Sequence, residues 1–195
     1  MCSSDLLEAL LTSVFLVAVS EIGDKTQLLS FVLAARLRKP WPIIGGILLA
    51  TLVNHSLAAW VGTLLAGWIA PATLGLIVGL SFIGFGLWAL HPDSLDGSPR
   101  LRQGGAFVTA FVAFFLAEMG DKTQFATVAL AARFDSPVIV VIGTTIGMML
   151  ADVPAVWLGD NLALKIPMQA VRIVAAALFM VVGALTLWSA LAGAQ

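Results

Sequence analysis

The sequence Glu-x-Gly-Asp-Lys-Thr-Gln occurs twice, at residues 21–27 and 118–124. Each copy sets two carboxylates, an ammonium, a hydroxyl and an amide inside an otherwise apolar stretch. Oxygen donors of this kind suit hard cations such as Ca²⁺, Mn²⁺ or Mg²⁺ rather than thiophilic metals. A charge at the centre of an apolar span costs about 2.5–3.5 kcal/mol on insertion scales. Glu21, Asp24, Lys25, Glu118, Asp121 and Lys122 would together cost roughly 15–20 kcal/mol if left unsatisfied. They must therefore face the protein interior and be satisfied by one another, by water or by an ion. Four carboxylates and two ammonium groups sum to −2 when all are ionised. One divalent cation neutralises that sum, and so do two protons, which is the logic of exchange. A buried salt-bridge staple is the bland alternative, but it leaves the excess of carboxylates without a purpose.

Helical spacing predicts how each motif is arranged. In a continuous helix Glu21, Asp24, Lys25 and Leu28 share one face, with Gln27 beside Asp24, and Glu118, Asp121, Lys122 and Phe125 do the same beside Gln124. Lys25 is then expected to pair with Glu21 within the helix, and Lys122 with Glu118. Gly23 and Gly120 weaken the helix where an unwound carbonyl would help to coordinate an ion. Thr26 and Thr123 can bond back to the backbone or reach the site. The metal candidates are thus Glu21, Asp24, Glu118 and Asp121, supported by Lys25, Thr26, Gln27, Lys122, Thr123 and Gln124. A second tier lies deep in other apolar stretches: Asn54, His55 and Asp152, where ionisable residues are functional candidates by default. His55 can accept a proton or supply a nitrogen ligand, which Mn²⁺ tolerates better than Ca²⁺ does. Its alternative is a hydrogen-bonded core histidine.

The elements that position these groups must be membrane spans. Of 195 residues 60% are hydrophobic and 11% charged, with a mean hydropathy of +1.03, too little polar surface to coat a soluble globule. The net charge of −1 leaves no basic excess for nucleic acid, and the single cysteine, Cys2, allows neither an internal disulfide nor a thiolate cage. No prosthetic group is expected. Six stretches reach the roughly 20 apolar residues needed to cross the hydrocarbon: about 6–37, 41–69, 71–90, 106–134, 138–164 and 167–191. Prolines at 40, 42, 71, 137 and 167 mark helix starts. The N-terminus is acidic and its apolar stretch runs past any cleavage site, so the first span reads as an uncleaved helix. Arg36, Arg38, Lys39, Arg100, Arg102 and Lys165 fall on one side, against Arg133 on the other. The positive-inside bias then places the odd connections in the cytoplasm and both termini outward. Arg36 and Arg133 read as interfacial anchors or carbonyl caps, the six tryptophans as interfacial belts, and the glycines at 45, 46, 84, 86, 143 and 147 as close-packing faces.

The chain is also written twice. At a constant offset of 97, residues 21–40 and 118–137 share Glu, Gly, Asp, Lys, Thr, Gln, Leu, Ala, Ala, Arg and Pro, 11 of 20 positions. The same offset pairs Gly46 with Gly143, Trp60 with Trp157, Gly86 with Gly183 and His55 with Asp152. The expected fold is an all-α integral membrane protein of six transmembrane helices: a three-helix repeat at 1–90, a polar cytoplasmic linker at 91–105 without site chemistry, and a second repeat at 106–195. An odd number of spans per repeat inverts the second copy. That architecture favours a midplane site and alternating access.

The paired motifs at 21–27 and 118–124, one per three-helix repeat, resemble the GDT family of membrane cation/proton antiporters over nearly the whole chain. The resemblance implies export of Mn²⁺ from the cytosol, with Ca²⁺ as a second possibility, in exchange for protons. It assigns the acidic roles to Glu21, Asp24, Glu118 and Asp121, and the compact form points to a bacterial inner membrane. Monomer and homodimer both remain open. Two other readings compete. A LysE-like exporter of small organic cations would need a larger, aromatic-lined cavity. An intramembrane aspartyl protease would use Asp24 and Asp121 as a dyad, but Glu21 and Glu118 stand where its signature requires glycine.

Overall fold

The computed structural model describes residues 3–91, 105–158 and 168–192. They form eight helices: α1 (Ser3–Glu21), α2 (Lys25–Leu37), α3 (Pro40–Trp68), α4 (Pro71–Ala89), α5 (Gly105–Glu118), α6 (Lys122–Arg133), α7 (Pro137–Leu158) and α8 (Met168–Ala192). No strand occurs among the described residues. Most of the linker, with Arg100 and Arg102, lies outside them, as do Cys2, Lys165, Pro167 and the end of the expected fifth span. Pro40, Pro71 and Pro137 each open a helix, where a missing N–H removes nothing the helix would use. Five helices are long and apolar enough to cross a membrane: α1, α3, α4, α7 and α8.

The expected first and fourth spans are not continuous helices. Each is broken at its motif, into α1 and α2 and into α5 and α6. Gly23 takes φ 82° and Gly120 φ 78°, left-handed values that cost an L-residue about 1–2 kcal/mol. Asp24 and Asp121 follow in extended conformation at the N-cap of the next helix, where the Asp121 side chain accepts from the Thr123 N–H. The Gly23 N–H donates to Gln27 Oε1 at 2.8 Å, and the Gly120 N–H to Gln124 Oε1 at 2.8 Å. An N-cap Asp with Gln three residues on is a helix-start signature. In this chain it sits inside an apolar run and outweighs the tendency to continue.

Packing crosses between the repeats. Helix α1 lies on α7, α3 lies on α5 and α6, and α4 lies on α8. Gly143 meets Leu10 and Ser13, while Gly147 meets Val14, Val17 and Ala18, so α1 and α7 run parallel. By the same test α3 runs parallel to α5: Gly46 meets Phe107 and Ala110, and Asn54 Nδ2 donates to the Phe115 carbonyl at 3.2 Å. Helices α4 and α8 are antiparallel, with Gly79 against Gly183 and Gly86 against Ala176. These two contacts exchange under the offset of 97, as a two-fold relation between the repeats requires. A Cβ on Gly147 would lie 2.7 Å from the Val14 carbonyl oxygen, so the close approach demands glycine there. Gly84 is an exception to the expected packing faces and has open space beside it.

The burial pattern is that of a membrane protein. Leu7, Leu11 and Phe15 on α1, and Ile173, Val181 and Leu185 on α8, are exposed, and so are all six tryptophans. Inside, Phe82 stacks on Phe179 across α4 and α8, while a band of buried polar residues crosses the centre.

Candidate functional site

Both helix breaks deliver their acidic residues to the same place. Glu21 and Glu118 end α1 and α5, Asp24 and Asp121 start α2 and α6, and all four are buried. Ligand oxygens of Glu21, Glu118 and Asp121 lie within 4.8 Å of one another. Asp24 is outside that group of three and is engaged by the Lys122 ammonium.

The within-helix ion pairs expected from spacing do not form. The break at each glycine turns the lysine away from its own glutamate and towards the other repeat. Lys25 pairs with Asp121 at 2.7 Å, and Lys122 pairs with Asp24. The two aspartates are thus matched by the two lysines. The glutamates are held by hydroxyls instead: Thr26 donates to Glu21 Oε2 at 2.5 Å and Thr123 to Glu118 Oε2 at 3.0 Å. Oε1 of each glutamate has no hydrogen-bond partner among the described residues. Two buried carboxylates therefore each keep a free oxygen in a place where an unsatisfied acceptor is costly. Such an arrangement can accept a hard cation or protons.

The second tier frames this centre. The parallel contact of α1 with α7 sets Glu21 level with Ala151 and Asp152, and that of α5 with α3 sets Glu118 level with Asn54 and His55. Gln27 Nε2 donates to the Ala151 carbonyl at 3.1 Å, and Gln124 Nε2 to Asn54 Oδ1 at 3.5 Å. The two glutamines thus serve both the helix break and the packing between repeats. Asp152 is fully buried and accepts from Ser30 at 2.9 Å. His55 is also fully buried, and neither ring nitrogen has a partner among the described residues.

Three residues that sequence reading passed over take part. Among the described residues Ser30 is Asp152's only hydrogen-bond partner, and an alignment of the repeats offers no hint of it, because its counterpart Thr127 bonds its own helix at Thr123 O. His91 and Arg172 line a small recess beside Gly23, Asp24 and Lys122. The linker end is therefore not remote from the site. Arg133 neither caps a carbonyl nor stands alone: it donates to Thr186 at 2.7 Å and pairs with Glu8 at 3.4 Å.

An apolar exterior, long apolar helices and an acidic interior shared by two repeats define a multi-pass membrane protein built to handle cations. The chain belongs to the GDT1 family: the family model described as divalent cation/proton antiporter GDT1 matches residues 9–97 and 106–194, once per repeat. The family is one of transporters, not enzymes, which removes the protease alternative. Among curated relatives, a Vibrio cholerae protein named "Putative manganese exporter" is 48% identical over 92% of this chain and 90% of its own length. A GDT1-like protein 4 of Arabidopsis thaliana is 30% identical over 92% of this chain and 95% of its own. A GDT1-like protein of Synechocystis is 28% identical over 96% and 100%. No solved structure matches the chain.

Proposed function

We propose that this protein exports Mn²⁺ from the cytosol in exchange for protons, through six membrane passes arranged as two inverted repeats. Each broken pair, α1 with α2 and α5 with α6, counts as one pass. The parallel packing of α1 on α7 and of α5 on α3 supports the inversion, since α3 turns back after α2 and α7 after α6.

The observation that carries the mechanism is the convergence of Glu21, Glu118 and Asp121 oxygens within 4.8 Å, buried and drawn from both repeats. Oxygens at that spacing can share one hard divalent ion, as Ca²⁺ does at about 2.3–2.6 Å, whereas Mg²⁺ demands a tighter, near-octahedral shell. The lysine-matched Asp24 stands beside this group, ready to join when the halves rock. The carboxylates that release the metal outside take up protons there and release them inside, so each half-cycle moves a nearly neutral site through the low-dielectric interior. Manganese rather than calcium is favoured by the Vibrio cholerae relative's name. His91, Arg172 and Asp24 line a small recess on the side that this topology makes cytosolic. The organic-cation alternative finds no support in this acidic, hydroxyl-held centre.

Purified protein in proteoliposomes with an imposed proton gradient tests this. Glu21→Gln and Asp121→Asn should each abolish Mn²⁺-dependent proton flux while the protein still elutes as a folded species. Mn²⁺ affinity should rise with pH, because the same oxygens bind metal or protons. Wild-type flux in both variants rejects the site. Ca²⁺ and Mg²⁺ run beside Mn²⁺ report the preference directly.

A further inference from the structure

Asp152 is a buried carboxylate that the motif chemistry does not use. Its Oδ1 accepts from Ser30 at 2.9 Å, its Oδ2 has no partner among the described residues, and its side chain is fully enclosed. It sits on α7 at the level of Glu21, within electrostatic reach of Glu21 and Glu118. Yet its oxygens are not among those gathered within 4.8 Å. It is beside the motif centre without sharing its ligand shell.

The same face of α7 carries Thr145, seven residues earlier and so about two turns nearer the N-terminal end of the helix; it is buried, and its hydroxyl too has no partner among the described residues. The repeat-related position on α3 holds His55, a nitrogen donor with no fixed charge of its own, so the two repeats differ chemically at this level.

We propose that Asp152, oriented by Ser30, is a second holding point for the transported divalent cation, occupied in alternation with the motif carboxylates. The proposal rests on the motif being the main site. A lone carboxylate with a hydroxyl beside it holds a hard divalent ion more weakly than three convergent carboxylates, as a waypoint must if the ion is to leave.

Mn²⁺ binding to the full-length protein, read by electron paramagnetic resonance of free Mn²⁺, tests it together with Mn²⁺ flux in proteoliposomes. A Glu21→Gln/Glu118→Gln variant should lose the tight site and retain a weaker, saturable one, and adding Asp152→Asn should remove that remainder. Asp152→Asn alone should slow flux about 10- to 100-fold, mainly in kcat, with equilibrium Mn²⁺ affinity close to wild type. Ser30→Ala, which keeps every charge, should weaken the residual site of the double variant and serves if Asp152→Asn does not fold. The proposal is overturned if the double variant binds no Mn²⁺, if its residual binding survives Asp152→Asn or is untouched by Ser30→Ala, or if Asp152→Asn transports like wild type. Wild-type affinity in the double variant would instead reject the motif as the main site, an outcome separate from these.

Discussion

Lys25 and Lys122 each reach into the other repeat, and the two ion pairs they form are unequal. The Lys122 side chain is 4% exposed and that of Lys25 23%. Removing one partner of a buried pair leaves an uncompensated charge and costs about 3–5 kcal/mol, while removing both is often near neutral. Lys122→Met should therefore lower the thermal midpoint in detergent sharply, and the Asp24→Asn/Lys122→Met double variant should recover most of the loss. Lys25→Met should cost distinctly less, because water still screens that end. Equal losses from the two lysine variants would contradict the burial difference. Sequence spacing pointed instead to Lys25 with Glu21. That geometry exists only if the helix is unbroken, so the error in pairing follows directly from the error in the helix.

At the scale of elements, the break itself was legible and was outweighed. Asp24-x-x-Gln27 after Gly23, and its copy at 121–124, spell a helix stop and a new cap, but each lies within about 30 largely apolar residues that argue for one long span. Local backbone chemistry decided the matter, because the glutamine amide oxygen accepts the freed glycine N–H at both breaks and Asp121 also accepts the Thr123 N–H. The duplication, the proline-led helix starts and most of the glycine contacts were readable because they are local or periodic. The lysine exchange, Ser30 with Asp152, and the approach of His91 and Arg172 were not, since each joins residues far apart in sequence. Two glycines separate the kinds of constraint. Gly120 has φ 78° with nothing within 4 Å of an added Cβ, whereas a Cβ on Gly147 would meet backbone at 2.7 Å. Gly120→Ala should thus cost only the left-handed strain, about 1–2 kcal/mol. Gly147→Ala should cost more by forcing α1 and α7 apart. Thermal midpoints of the two variants, measured side by side, check the order.

For the whole molecule, the proposed function depends on the second repeat entering the membrane opposite to the first. Arg38 begins the α2–α3 turn of one repeat, and Asp135, its counterpart at the offset of 97, lies in the α6–α7 turn of the other. Both are exposed. Under the proposed topology their opposite charges follow the positive-inside bias, with the basic residue towards the cytoplasm. After Cys2→Ser removes the native thiol, Asp135→Cys should react in whole cells with a membrane-impermeant maleimide, while Arg38→Cys should react only once the membrane is opened. A polar reagent cannot cross the roughly 30 Å of hydrocarbon, so the two positions report their sides independently. Labelling of both from one side would make the repeats parallel. The acidic motifs would then no longer be related by an axis in the membrane plane, and the rocking of one half against the other around a fixed carboxylate site would lose its geometric basis.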